Sequence, residues 1–503
     1  MTEYLLTLDF GTGTGRCLIF SLIGELIAQT YEEWKYNENW LPFGDKKVPQ
    51  LDFDPDKFWN ILCKLTKQAI KKSKINPQDI IAISSTSMRH GCVFLDKHGK
   101  ELYAMPNVDA RAFMEGMEMQ GNYKEKIQHI TGHMPPIIYV PARLAWIKNK
   151  KPEIYEKIDK FLMINDWILF RLTGQYISEP SNACESMLFD VHNRKWSKEL
   201  MELLDIPNTI TPNLKESGSL VAEEIEPGLA EQMGVPTKIK VVVGGADTQC
   251  ALLGTKTIKP GQSCAVAGTS TPFQIVTEKP YIDMNYRIWT GCHVVPNMWV
   301  IDSDAGETGH NLRWFKKVFN LDFPEIDKLA EQSAPGSGGF LANLGGSIAN
   351  YGNLSEIGYG GFLIPLPVIS TEVFRAEICR GLLENLAYII KANAQQVEEL
   401  SGLNVGEKDI ALSGGQARSN IFANILTNVF GNPIKIFKIK EGTALGSAIL
   451  ASIGAGIYNN FDEAVDNMVH LEKTVTPDKK LTKTYRKLFK KWKKIYNQFL
   501  KIK

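Results

Sequence analysis

The chain has 503 residues, 44% of them apolar and 22% charged. That is close to the globular average, so wholesale disorder is excluded, and the length fits two or three domains at roughly 150 residues each. Its 57 Lys and Arg nearly cancel 56 Asp and Glu to leave +1, which argues against a general polyanion binder, yet residues 478–503 carry eleven basic residues and one acid, a +10 tail on a −9 body.

In chain order, residues 4–8 read as an apolar strand, 9–15 as a glycine-rich turn, 16–21 as a returning strand and 25–29 as a third after Gly24. This is a hairpin start with no helix after the glycines. Residues 54–72 have apolar side chains at helical spacing, 80–85 and 92–95 read as strands, and 153–166 return to helical periodicity. The alternation is that of an α/β protein. Residues 238–245 are a β-branched strand running into a glycine turn near the midpoint, which places a domain boundary there: an N-terminal domain over 1–250 and a C-terminal domain over 251–503. The second half opens as the first does, with an apolar strand at 263–267, the turn Gly268-Thr269-Ser270-Thr271 and a returning segment at 272–276, so the core is read as duplicated. Residues 335–361 predict loops, 374–400 a long helix and 409–413 a strand ending at Gly414-Gly415. The tail predicts a basic amphipathic helix at about 479–501, with Leu481, Tyr485, Leu488, Phe489, Trp492, Ile495, Tyr496, Phe499 and Leu500 on one stripe, packed on the second domain with its lysines solvated.

No run of about 18 apolar residues occurs, and Glu3 and Asp9 are unlike a signal peptide, so a soluble chain with no membrane or nucleic-acid partner is expected. Eight scattered cysteines without a Cys-x-x-Cys pair fit a reducing cytoplasm, and the eight histidines have no metal-ligand spacing.

Gly11-Thr12-Gly13-Thr14-Gly15-Arg16 offers unobstructed backbone N–H groups, alternating hydroxyls and a guanidinium, a set suited to phosphate oxygens. It is neither a dinucleotide fingerprint nor a P-loop, and an ordinary hairpin turn is the plain alternative. Asp9 before it is placed to hold a hydrated metal or to cap the turn. Asp247, after a strand and a Gly-Gly-Ala turn, is either the cap of the next helix or a carboxylate that takes a proton from an attacking hydroxyl. The segments Ser87-Met88-Arg89-His90-Gly91 and Asn107-Val108-Asp109-Ala110-Arg111 follow strands and carry donors and acceptors fit for a polyhydroxylated ligand, or for a surface salt-bridge set.

Taken together and in order, Asp9-Phe-Gly-Thr-Gly-Thr-x-Arg16, Gly245-Ala-Asp247, Ala267-Gly-Thr-Ser270 and Ser413-Gly-Gly-Gln416 resemble the FGGY carbohydrate kinases of the actin-like ATPase superfamily. Pro141-Ala-Arg143-Leu-Ala-Trp146 resembles a first family signature, with Arg143 where Lys is usual; residues 375–384 and Glu441-Gly-Thr-Ala-Leu-Gly446 are similar to later ones. The resemblance implies two actin-like (RNase-H-like) domains with an interdomain active-site cleft, ATP and Mg²⁺, and a monomer or homodimer. It implies Asp247 as general base, Asp9 and Asp247 on the metal, and Gly11, Thr12, Gly13, Thr14, Arg16, Gly268, Thr269 and Ser270 on the phosphates. Gly414, Gly415 and Gln416 would meet the adenosine, and Arg89, His90, Asp109, Arg111 and Asn182 the acceptor. Within the family, Ser87-Met-Arg89, residues 107–112, Asn165-Asp166-Trp167 and residues 180–183 are most similar to the autoinducer-2 kinases, which phosphorylate a linear dihydroxy-dione. His90 departs from them, standing where those kinases have Glu and closer to the Met-His-Gly of pentulose kinases. The competing expectations are a xylulose- or pentitol-type kinase and, in a different class, an actin-like ATPase sensor or chaperone without sugar transfer.

Overall fold

The computed structural model describes residues 3–43, 46–352, 360–365 and 374–501. Two seven-stranded sheets organise it. In the first, Tyr4–Phe10, Thr14–Ser21 and Leu26–Glu33 form an antiparallel meander. Tyr4–Phe10 then pairs in parallel with Ile80–Ser87, which pairs in parallel with Lys240–Val242, and Leu220–Ala222 closes the edge antiparallel. In the second, Ser263–Val266, Pro272–Thr277 and Trp299–Asp304 repeat the meander, Ile410–Ser413 and Ile434–Phe437 the parallel steps, and Leu471–Val475 the antiparallel edge. Trp289–Cys292 adds one strand beyond the meander. The same order and the same directions in both halves establish the duplication read from the two Gly/Thr turns.

Each parallel step needs a crossover. In the first half it contains the helix Pro55–Ser73, which starts where Asp54 accepts the Lys57 N–H and Pro55 supplies a preset φ. In the second half it contains Arg375–Ser401, whose middle turns are buried on nearly every face because sheet, neighbouring helices and tail all cover them. Enclosure on all sides leaves no polar face, so its Arg380, Glu384, Asn385 and Asn393 are buried as well. Between the sheets lie two helices, Asp247–Leu253 and Gly442–Gly454. Their Cys250, Leu253, Ala444 and Ala448 share one core with Leu5, Leu18 and Phe20 of the first sheet and Ala411 of the second. The backbones touch: a Cβ on Gly446 would collide with the Cys250 carbonyl, which explains a glycine inside a helix despite its cost of about 1 kcal/mol.

Two expectations are corrected, and a third holds except at the ends of its apolar stripe. Residues 153–166 are not one helix but a short turn of helix, Pro152–Tyr155, then the strand Lys160–Met163 and the helix Ile164–Thr173. The continuous apolar run at 161–164 fits either element, and pairing with Cys92–Leu95 decides for strand. The 335–361 segment is not all loop, since Leu341–Asn343 pairs with Gly361–Leu363; residues 353–359 of it lie outside the described residues. The tail helix is Lys479–Phe499, capped by Asp478, and it buries Tyr485, Phe489, Trp492 and Tyr496 against the second half, whereas Leu481 and Leu500 at its ends are exposed. A two-stranded hairpin, Asn37–Phe43 with Lys46–Asp52, had no counterpart in the sequence reading. No helix among the described residues is long and apolar enough to cross a membrane.

Candidate active site

Sheet register gathers the site. Asp9 and Gly245 lie on either side of Thr86, Asp9 through the Tyr4–Phe10 strand and Gly245 through its own short pairing. Two residues later the chain enters a helix at Asp247, so both carboxylates reach one end of the first sheet. In the second sheet Val266 pairs with Ser413, which brings the Gly268–Ser270 and Gly414–Gly415 turns side by side. A cleft of about 930 Å³ separates the two ends and is lined by Asp9, Gly11, Thr12, Thr14, Arg16, Arg89, His90, Asp247, Gly268, Thr269, Ser270, Gly414 and Gly415. Asn107, Trp289, Asp304, Glu307 and Glu441 line it as well.

The turns are shaped by close contacts. Trp34 donates its backbone N–H to Gly13 and its indole N–H to the Thr12 carbonyl, and Asn107 reaches the Thr12 hydroxyl at 2.9 Å. Gly414 has φ 85, and a Cβ there would strike the Ala267 carbonyl, so glycine is required twice over. The Gly309 and His310 N–H groups donate to the Thr269 carbonyl, fastening the Gly268–Ser270 turn to the start of the helix Thr308–Phe319.

Burial sets the electrostatics. Asp247 is pushed up to about 6 by burial, with Arg89 pulling down and Asp9 pushing up, and its Oδ1 accepts the Thr248 N–H at 2.8 Å. Asp247 is thus the first residue of its helix; the flanking cap position belongs to Ala246. Asp9 is raised by burial and held by Arg16 at 3.3 Å. Two cleft carboxylates, with Asp9 raising the proton affinity of Asp247, fit a divalent cation. Among the described residues no group of three or more His, Cys, Asp or Glu is placed to hold a metal, so Mg²⁺ here would draw its other ligands from phosphates and water, its usual habit.

Arg89 and His90 open a pocket the sequence reading did not complete. Arg89 Nη1 donates to Asp302 Oδ2 at 3.0 Å and lies 3.5 Å from Glu185 Oε1; His90 Nε2 lies 2.8 Å from Glu185 Oε2. The Arg89 guanidinium sits 5.6 Å from the Trp289 ring. Arg143, fully buried, donates to the carbonyls of His90 at 2.6 Å and Pro106 at 2.6 Å, tying together the two loops that follow the strands. Glu185, Asp302, Asp304 and Trp289 were all missed. Glu185 sits in a short helical turn and Asp302 and Asp304 inside a strand, far in sequence from Arg89, and only the duplicated sheet order could have hinted at the strand.

Five expected site residues do not line the cleft. Asp109 and Arg111 satisfy each other at 2.6 Å and hold the extra hairpin, Asp109 accepting the Leu51 N–H and Arg111 donating to the Leu51 carbonyl and Asp52. Their charges meet inside the first domain, as a buried ion pair and not the surface salt-bridge set that was the alternative for that segment. Gly13 lies behind Trp34. Gln416 is turned inward to the Thr308 hydroxyl at 3.2 Å. Asn182 is fully buried with both amide atoms unpartnered.

Paired duplicated sheets around a polar cleft define the two-domain actin-like architecture. Comparison with known proteins narrows this. Residues 4–254 match the model of the N-terminal domain of the FGGY family of carbohydrate kinases, and residues 264–455 that of its C-terminal domain. The chain belongs to the FGGY family of carbohydrate kinases and is a phosphotransferase. It is 30% identical to the autoinducer-2 kinase of Escherichia coli K12 over 516 residues, 99% of this chain and 94% of that one. In fold it is similar to a xyloylose kinase from Brucella ovis, with TM-score 0.84 and 20% identity over all of both chains. It is also similar to Plasmodium falciparum glycerol kinase with ADP, with TM-score 0.83 and 20% identity over 97% of each.

Proposed function

We propose that this kinase transfers the γ-phosphate of ATP to a terminal hydroxyl of a small open-chain acceptor, with the dihydroxypentanedione of autoinducer-2 as first choice. The observation that carries it is Asp247, a part-buried carboxylate lining the cleft between the two Gly/Thr turns, with an affinity for protons raised to near neutrality. A base with pKa about 6 is ionised at pH 7 yet still takes up a proton well, as general-base catalysis requires. Asp247 would accept the hydroxyl proton as the hydroxyl oxygen attacks. Backbone N–H groups of the two turns, with Arg16, would hold the phosphates. Mg²⁺ held near Asp9 and Asp247 would neutralise phosphate charge. Positioning and electrostatics then account for most of the acceleration. The kinship with autoinducer-2 kinases along almost the whole chain supports the choice of acceptor.

A pentulose or pentitol acceptor is the second reading, favoured by His90 in the cleft lining. The same proposal takes residues 1–250 and 251–503 as the two domains, and a cytoplasmic monomer or homodimer as the working form. A coupled ADP-release screen over pentuloses, pentitols, tetritols and the dione tests it. Turnover on the dione at least tenfold above every pentulose supports the first reading, the reverse order the second. ATP hydrolysis indifferent to every acceptor overturns both in favour of an ATPase without sugar transfer.

A further inference from the structure

Glu185 is 1% exposed and is shared by three cationic or protonatable side chains. Its Oε2 lies 2.8 Å from His90 Nε2 and 3.5 Å from His133 Nε2, and its Oε1 lies 3.5 Å from Arg89 Nη1. Burial alone would raise this carboxyl, but Arg89, His133 and His90 hold it well below the ordinary range. It is therefore an ionised carboxylate, which can only accept hydrogen bonds. The consequence falls on His90. Its Nε2 must carry the proton it gives to Glu185, and burial, only partly opposed by Glu185, lowers the imidazole to about 4, so the ring is neutral. A neutral ring protonated at Nε2 has a lone pair at Nδ1. No described residue hydrogen-bonds that nitrogen, and His90 lines the cleft.

Nor can the ring readily turn over. Tyr139 packs edge-on at 4.9 Å and Trp289 at 5.5 Å, and the His90 backbone sits at φ 67 with its carbonyl fastened to Arg143. A non-glycine residue held in the left-handed region by surrounding bonds is a feature of built sites.

We propose that Glu185 is a specificity-determining positioning residue: by accepting the hydrogen bond from His90 Nε2–H it keeps the proton on Nε2 and leaves Nδ1 as a fixed acceptor for a substrate hydroxyl. The favoured phosphoryl acceptors then carry a hydroxyl at that contact, as ketoses, polyols and hydrated diones do, and a bare carbonyl there is disfavoured because it brings no proton. This inference rests on the reading of the cleft as an acceptor site.

Two measurements test it. Nitrogen-15 NMR of histidine-labelled wild-type protein, with His90 identified through His90→Gln, is expected to show His90 as the neutral tautomer with Nδ1 unprotonated. In Glu185→Gln the amide can offer its own N–H to Nε2, so the Nδ1-protonated tautomer is expected to appear. In kinetics with whichever acceptor the screen identifies, Glu185→Gln is expected to raise acceptor KM at least tenfold, with KM for ATP within about twofold and Glu185→Asp intermediate. An Nδ1-protonated or cationic His90 in the wild type overturns the proposal whether or not the variant folds. So does an unchanged acceptor KM in a folded, ATP-binding Glu185→Gln. If the screen finds no acceptor, the functional reading fails, and the tautomer measurement still decides the role of Glu185.

Discussion

Asp247→Asn separates what the cleft needs for chemistry from what the fold needs for stability. The ordinary value for this carboxyl is 3.8, and the folded protein raises it to about 6. The folded state thus binds the Asp247 proton more tightly than the unfolded chain does. Between pH 3.8 and about 6 the unfolded chain has already released it, so stability falls as pH rises across that window and stays lowered above it. Two pKa units at about 1.36 kcal/mol each set the loss at roughly 3 kcal/mol at pH 8. Asparagine keeps the shape and can still accept the Thr248 N–H, but never has to ionise, and Arg89 retains Asp302 and Glu185 as partners. The expected variant is therefore more stable than the wild type at pH 8, by up to about 3 kcal/mol, with the advantage shrinking towards pH 5. Turnover is expected to fall by several orders of magnitude. Paired thermal melts at pH 8 and pH 5, with ADP-release rates on the same samples, check both. A variant that melts below the wild type at pH 8, or that keeps near-normal turnover, refutes the reasoning.

The wild type should show kcat/KM for the acceptor falling about tenfold per pH unit below about 6, because only ionised Asp247 accepts a proton; a flat profile from pH 5 to 8 would count against it. Trp492→Ala removes a buried ring that also donates to Asn385 at 3.0 Å, and should cost about 3–5 kcal/mol in a melt, whereas Lys490→Ala on the exposed face of the same helix should be nearly neutral. Gly446→Ala drives a Cβ into the Cys250 carbonyl and should destabilise by about 1–3 kcal/mol although alanine is the better helix former; a more stable variant would show that the two helices can part.

How far the sequence could be read depended on how local each signal was. Gly/Thr turns after short apolar strands announced themselves, because turn chemistry and the strand before it are contiguous in the chain. The same is true of Asp9, Arg89 and Asp247 at strand ends. Asp109 and Arg111 looked equally functional by the same criterion, and only the hairpin at residues 37–52, unrecognised in the sequence, explains where their hydrogen bonds go. Glu185 gave no signal because nothing in residues 180–190 says that His90 lies opposite. The tail was read well for the opposite reason: Tyr485, Phe489, Trp492 and Tyr496 repeat at helical spacing within twelve residues, and the helix buries that stripe.

Arg89 also links the two halves. It follows the Ile80–Ser87 strand of the first sheet, whereas Asp302 belongs to Trp299–Asp304 of the second, so their 3.0 Å bond exists only in this arrangement of the domains. Gln274 adds a bond to the same Asp302 oxygen at 3.2 Å, while the other oxygen is buried without a partner. Burial pushes the Asp302 carboxyl up, against the pull of Arg89 and with Asp304 adding to the rise, so the pair is held less strongly than its distance suggests. Asp302→Asn keeps an oxygen for Arg89 but gives up the charge. At about 1–2 kcal/mol for a weakened charge-assisted bond, the closed arrangement loses about 5- to 30-fold in population relative to an open one. Acceptor affinity is diluted by the fall in the closed fraction, which is at most that factor, since the pocket is complete only when Arg89 is fixed. The expected result is a rise in acceptor KM of up to about 5- to 30-fold, with a larger radius of gyration in solution scattering than the wild type has. Unchanged KM and unchanged scattering would mean that the helices Asp247–Leu253 and Gly442–Gly454, packed backbone to backbone, hold the domains together without help from the cleft.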